Sequence, residues 1–263
     1  MKKLISFDLK ADFGFLKKPD INENEIFITF NSLHKPALLG ILGAIAGLKG
    51  YEKYGVLPEY YIKLKDIKTG IRPLNSDKGI FQKTMIKYNN ATGFANKDAT
   101  EKFGETLNVT EQTLISPFFK CYVELDDEDE LQKNLITNIL NLKSTFIPYL
   151  GKNEYTAWWE NPKTNLYKVV TKNDSVKIDT IFTKTGTINE QIEEEDFNIF
   201  NLEDSNSMFM YFERLPIGFF NLGENIYQYE LKSFVYTNRK LKKDTQIENL
   251  YEIDNGSEII QLF

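Results

Sequence analysis

The sequence predicts an α+β protein. A ferredoxin-like (RNA-recognition-motif-like) N-terminal domain covers residues 1–150, with an inserted β-hairpin arm at about 73–115, and a strand-rich domain follows over 151–263. Three observations predict this. Residues 1–150 run strand–helix–strand twice, the order of the split βαβ unit. Residues 73–115 separate the two halves with Asn, Thr, Gly and Lys and no helical period. Beyond residue 151 the apolar runs are short and interrupted by turn residues, which reads as strands.

The first strand takes residues 2–10, around Leu4-Ile5-Ser6-Phe7. A turn with rings and cations, Phe13-Gly14-Phe15-Leu16-Lys17-Lys18-Pro19, leads to a second strand, Ile26 to Phe30. The chain breaks at Asn31 to Pro36 and enters an apolar helix at about 36–50. Pro36 suits its first turn, where a missing N–H costs nothing. Gly40, Gly43 and Gly47 are each worse than alanine in a helix by about 1 kcal/mol, which predicts close packing of this helix on the sheet. A strand is read from Tyr60 to Lys68, with Tyr61, Lys63 and Lys65 alternating against Ile62, Leu64 and Asp66.

The stretch 73–115 is too long for a structureless loop inside a compact domain, so a protruding β-hairpin is predicted. After Pro117, Phe118 to Leu125 reads as a strand. The acidic run Asp126 to Glu130 favours a helix start, and Leu131, Leu135, Ile136, Ile139 and Leu140 give the following helix its apolar stripe. Thr145-Phe146-Ile147 is read as the closing strand. Further strands are predicted at Leu166–Thr171, Val176–Thr183, Met208–Glu213 and Tyr227–Tyr236, with a solvated acidic loop at 185–205.

Composition narrows the function. No run reaches the roughly 18 apolar residues of a membrane span, and the N-terminus lacks a signal-peptide pattern. The single cysteine, Cys121, forbids an intrachain disulfide and suits a reducing, cytoplasmic setting. No Cys or His cluster offers a zinc site, so no metal and no cofactor are expected. The net charge of −6 argues against a general nucleic-acid binder. Its distribution argues the other way. Residues 1–120 hold 18 Lys and Arg against 13 Asp and Glu, a net of +5. Residues 121–263 hold 14 against 25, a net of −11. Charge acts locally once salt screens beyond about 8–10 Å, so a basic half can hold RNA while an acidic half faces elsewhere; drift produces the same asymmetry.

Two constellations point to RNA. The arm carries Lys78, Lys83, Lys87 and Lys97 interleaved with Phe81, Tyr88, Asn89 and Phe94. Cations track phosphates, while rings stack on splayed bases at about 1–3 kcal/mol each. The same composition suits an ordinary exposed hairpin whose rings pin it to the core. The second constellation is a predicted anion cradle, made of Phe13, Phe15, Lys17 and Lys18 with His34, Lys35 and the first amides of the apolar helix, Ala37 and Leu38. His34 is the sole histidine, which leaves little for acid–base RNA cleavage. Trp158 and Trp159 are expected to give one ring to the core and one to a surface.

Three segments carry a family resemblance. HKPALLGILGAIAGLKGY (His34 to Tyr51) is similar to the "x-x-L-L-G-h-h-G-A-h-h-G-L" helix of the Cas family five proteins, members of the RAMP superfamily. TFIPYLGKNEYTAWW (Thr145 to Trp159) resembles their "P-Y-L-G-x-S-E-h-x-A" segment, and ERLPIGFF with YELKSFVYTNRKL resembles their C-terminal strands. The match is weakest over 73–115 and 185–205, and Pro36 falls one residue later than in the family. The chain looks most like the subtype I-B branch.

The resemblance implies a non-catalytic RNA-binding subunit of a type I CRISPR interference complex (Cascade) in antiviral defence. Such a subunit caps the 5′ handle of the guide RNA (crRNA), and the arm takes the place of the family's thumb. The implied partners are crRNA, the large subunit and the backbone subunit; target DNA is met only indirectly, and no membrane is involved. One branch of the family cleaves precursor crRNA with a tyrosine, a lysine and a histidine. A metal-independent endoribonuclease is therefore the alternative, and a pure protein scaffold is a third reading.

Overall fold

The computed structural model describes residues 1–19, 26–90, 107–170, 175–183, 200, 208–242, 245 and 247–263. The expected acidic loop at 185–205 lies outside these, apart from Phe200, as do Phe94 and Lys97 of the arm.

The chain is mixed α+β, with many strands and few helices. Strand β1 (Lys2–Ala11) is followed by two short strands, β2 (Phe13–Gly14) and β3 (Ile26–Phe27). Helix α1 (Lys35–Ala46) stops at Gly47, whose backbone is left-handed, four residues before the end of its sequence pattern. Helix α2 (Glu59–Leu64) then leads to β4 (Lys68–Pro73). Strands β5 (Lys83–Asn90) and β6 (Leu107–Ile115) pair antiparallel over eight residues, the two-stranded arm the sequence predicts. Next come β7 (Phe118–Asp126), α3 (Glu130–Leu140), β8 (Ala157–Asn165) and β9 (Tyr167–Val169). The remaining strands are β10 (Met210–Asn221), β11 (Tyr227–Thr237), β12 (Leu250–Ile253) and β13 (Glu258–Gln261).

The central sheet has the order β4-β7-β1-β8, every pair antiparallel. Its fourth strand comes from beyond residue 150, so the sheet crosses the expected domain boundary. One core joins Phe7 and Leu9 of β1, Val123 of β7, Leu38 and Leu42 of α1 and Leu135 and Ile139 of α3. Leu215 and Phe234 of the β10–β11 ribbon pack into the same core. Among the described residues no helix is long and apolar enough to cross a membrane.

Four local expectations are corrected. The strand read at Tyr60–Lys68 is helix α2. Pro58, Tyr61, Leu64 and Ile67 are buried while Ile62, Lys63 and Lys65 are exposed, a spacing of three that buries one face of a helical turn. The closing strand is β8 and not Thr145–Ile147. The Thr145 and Phe146 amides donate to Ile45 O (3.3 Å) and Ala44 O (3.0 Å), carbonyls freed at the end of α1. Pro162 and the polar residues around it disguised β8, where proline is tolerated because the strand is an edge. The α1 glycines serve a helix rather than the sheet: a Cβ on Gly43 would sit 2.4 Å from Tyr60 Cβ. Finally, Val176–Thr183 forms only isolated bridges, at Lys177 and Phe182. The tryptophans divide as expected: Trp159 is buried with its Nε1 donating to Ile139 O at 3.0 Å, and Trp158 is 42% exposed.

Candidate nucleic-acid interface

The β5–β6 arm has two faces because side chains alternate along each strand. Cross-strand partners share a face, so Lys83, Met85, Lys87 and Asn89 lie with Leu114, Gln112, Thr110 and Asn108. Toward the outer end this face is open: Met85, Lys87, Asn89 and Asn108 are all exposed. Lys87 forms no ion pair or hydrogen bond among the described residues. Lys83, nearer the base, is half-buried and donates to Asn31 Oδ1 at 3.0 Å, and burial lowers its pKa.

The other face carries Thr84, Ile86 and Tyr88 opposite Thr113, Glu111 and Val109. The Glu111 carboxylate is buried and accepts from Tyr88 Oη (3.0 Å) and Lys152 Nζ (2.7 Å). Lys152 Nζ also donates to Tyr88 Oη at 3.3 Å and lies 4.8 Å from the Tyr88 ring centre and 5.7 Å from that of Tyr155. Burial alone would lower the Lys152 pKa; the hydrogen bonds it donates to Glu111 and Tyr88 outweigh it and raise the value. Lys152 therefore stays charged, with its charge answered by Glu111. Phe13, 5.8 Å from the Tyr155 ring, stays largely exposed at the edge of this cluster.

Beside the cluster opens a groove of about 550 Å³ lined by Tyr88, Asn89, Tyr149, Gly151, Lys152, Asn153 and Glu154. Tyr149 is half-exposed and Tyr88 is 37% exposed. Rings and side-chain amides on one concave wall, beside the Lys152–Glu111 pair and the Glu154 carboxylate, suit a splayed nucleotide that stacks on a ring and offers its edge to amide groups.

The second predicted site is closed. Ala37 N is taken by His34 Nδ1 (3.3 Å) and Leu38 N by His34 O (3.0 Å), so the amides expected to hold a phosphate already have acceptors. His34 is 3% exposed, and its ring packs edge-on against Phe30 and Tyr229. Burial pushes its pKa down to about 3, so it is a neutral helix cap, neither a cation nor a proton shuttle. Lys35 Nζ reaches Phe263 O at 3.2 Å, and burial lowers its pKa to about 8.

An internal anion occupies the nearby loop. Glu213 accepts from Asn31 N (3.0 Å) and Ser32 N (3.1 Å) and pairs with Lys18 Nζ at 3.2 Å. Phe15 and Phe81 are buried, Phe81 packing edge-on against Phe119 at 4.9 Å, so neither ring is open to a base. Lys17 is exposed and lies 3.9 Å over Phe27; Lys78 is exposed in a tight turn.

The structure thus brings Tyr88 and Asn89 to one groove, sets Lys87 on the arm's opposite face from Tyr88 and Phe13 beside Tyr155, and folds Phe15, Lys18, His34, Lys35, Phe81 and Lys83 into the scaffold. The sequence reading missed Tyr149, Lys152 and Asn153. Their signal was present in PYLGKNEY, which drew notice as a motif and not as a site.

No family model matches this chain, and no curated protein matches it. Solved structures with a similar backbone include a chain of a CRISPR RNA-guided surveillance complex, at 9% identity and a TM-score of 0.46, covering 91% of each chain. A CRISPR protein from Archaeoglobus fulgidus aligns at 12% identity and 0.44, over 99% of this chain and 98% of that one. A chain of the Type III-B Cmr-beta complex bound to cognate target RNA and AMPPnP aligns at 11% identity and 0.45, over 91% and 86%. Likenesses at this level transfer neither activity nor partner to this chain.

Proposed function

We propose that this chain is a non-catalytic RNA-binding subunit of a type I CRISPR interference complex. It holds the 5′ handle of the guide RNA on the open face of the β5–β6 arm and in the groove beside Tyr88 and Asn89 toward the arm's outer end. The observation that carries this reading is that Asn89, exposed on the open face with Asn108 and with a Lys87 that forms no ion pair among the described residues, also lines the ring-and-amide groove of Tyr88, Tyr149 and Asn153. Two further features support it. The sheet order β4-β7-β1-β8 with intervening helices reads as a ferredoxin-like, RNA-recognition layout. The three motif segments resemble the Cas family five proteins in the same order along the chain, the I-B branch most of all. Docking to the large and backbone subunits, and contact with target DNA only through the guide, follow from that resemblance.

The non-catalytic assignment rests on the proton chemistry of the described residues. Metal-independent RNA cleavage needs a group that titrates near neutral pH. His34 is buried, neutral and committed to a cap, and Lys152 is locked in its charged form. Lys35, lowered toward neutrality to about 8, is half-buried with its Nζ held by Phe263 O.

The test is a salt titration of single-strand RNA binding. Lys87→Glu is expected to weaken binding several-fold at physiological salt and to flatten the log K against log[salt] slope by about 0.7 for each lost contact. Unchanged affinity and slope would remove the arm from the interface.

A further inference from the structure

We propose that the groove beside the arm selects one guanine of the bound strand, with the Glu154 carboxylate accepting from the N1–H and the N2 amino group of that base. The proposal rests on the RNA reading above and assigns a base to its groove. The wall that carries Glu154 is a short turn tied at both ends. The Leu150 amide donates to Tyr155 O at 2.8 Å, and the Tyr155 amide donates to Lys152 O at 2.9 Å. Gly151 lies between them at φ +88, packed against the Phe15 carbonyl. The backbone of 151–154 is therefore fixed, while the Asn153 and Glu154 side chains are exposed.

The groups lining the groove divide into committed and free. The Tyr88 hydroxyl and the Lys152 ammonium are both committed to Glu111. Among the described residues the side chains of Asn89, Asn153 and Glu154 make no hydrogen bond, and Glu154 forms no ion pair. The charge in the groove that lacks a partner is therefore negative. It repels a phosphate and attracts a base edge that presents N–H groups. Lys87, on the arm's open face with Asn89, is placed for the phosphate instead.

The chemistry of the bases decides which edge fits. An ionised carboxylate offers two acceptor oxygens side by side and no donor. A splayed base exposes its whole Watson–Crick edge. On that edge guanine sets two donors side by side, the N1–H and the N2 amino group. Adenine and cytosine each set one amino group beside a ring-nitrogen lone pair, which faces the second carboxylate oxygen and repels it. Uracil sets its one N–H between two carbonyls. Guanine alone satisfies both oxygens. Its O6 then accepts from a side-chain amide, Asn89 or Asn153, and its ring face meets the half-exposed Tyr149 on the same wall.

The experiment measures binding of labelled RNA octamers to the full chain by fluorescence anisotropy. Each octamer is uridine throughout except at one central position, which is guanosine, adenosine, cytidine, uridine or inosine. The guanosine octamer is expected to bind about tenfold more tightly than the adenosine, cytidine and uridine ones, the scale of one bidentate base contact. Inosine keeps the N1–H and lacks the N2 amino group, so it is expected to lose most of that preference. Glu154→Gln replaces one acceptor oxygen by a donor and is expected to bring guanosine to within about twofold of adenosine, with the thermal midpoint unchanged. Equal binding of all octamers, a guanosine preference that survives Glu154→Gln, or inosine binding as well as guanosine would overturn the proposal and leave the RNA reading standing. No binding of any octamer at any salt would overturn the RNA reading and this proposal with it.

Discussion

Gly151→Ala is expected to destabilise the protein by more than about 3 kcal/mol, the scale of backbone strain combined with overpacking. Gly151 holds φ +88, and a Cβ there would lie 1.8 Å from Phe15 O and 2.6 Å from Phe15 C. Backbone is on the receiving end, so no rotamer change relieves the clash. The Phe15 amide donates to Leu150 O at 3.1 Å, which fixes the two strands of chain against each other. Moving them apart displaces Lys152 and Tyr149, so the groove deforms along with the loss of stability. Gly223→Ala is the control, because Gly223 has φ +109 with open space around it and therefore reports the backbone term alone. Thermal unfolding should show Gly151→Ala lower by on the order of 10 °C and Gly223→Ala by a few degrees. Equal shifts would mean that the contact with Phe15 is relieved elsewhere.

His34 should produce a distinct acid limb in the stability curve. Its folded pKa of about 3 lies below its unfolded value near 6.5, so the unfolded chain binds the proton more tightly. Stability is therefore full above about pH 6.5 and declines as pH falls through the interval down to about 3. The slope from this one group is about 1.4 kcal/mol per pH unit. His34→Asn retains a side-chain acceptor for Ala37 N, since asparagine caps helices well, but removes the titrating ring and its packing on Phe30 and Tyr229. The variant should be less stable at neutral pH, with the gap to the parent shrinking steadily below pH 6.5. Curves that stay parallel to pH 4 would show that the ring reaches solvent.

These two residues show what was legible in the sequence. Local patterns carried well: the apolar helix after Pro36, the strand after Pro117 and the helix after Asp129 follow from periodicity and turn chemistry within a dozen residues, and the two-stranded arm from the length of a stretch with no helical period. Features that depend on a distant partner did not. His34 looked like a phosphate ligand because its neighbours Lys35 and Pro36 frame a helix start, yet Tyr229 and Phe30 close over it. Glu213 fills the loop at Asn31 from 182 residues away, and no local signal announces that. Short amphipathic segments were ambiguous too. Tyr61, Lys63 and Lys65 fit a strand alternation until the burial of Leu64 and Ile67 shows a spacing of three. The tryptophan pair divides between core and surface because the two residues are adjacent on β8, where successive side chains face opposite ways.

The charge asymmetry acquires a structural meaning in the same way. Several cations of the basic half are paired by acids of the acidic half, Lys18 by Glu213, Lys2 by Glu124 and Arg72 by Glu258. The attraction available to a phosphate is therefore narrower than the composition implies, and on the arm it comes from Lys87, which forms no ion pair among the described residues.

The measurement that tests this account most directly is ultraviolet crosslinking of single-strand guide RNA to the full chain, with mass spectrometry locating the modified residues. Nucleotide adducts are predicted on peptides spanning 83–90, 107–115 and 149–155. Adducts confined to 31–38, the loop already filled by Glu213, or no adduct in any of these three segments, would contradict it.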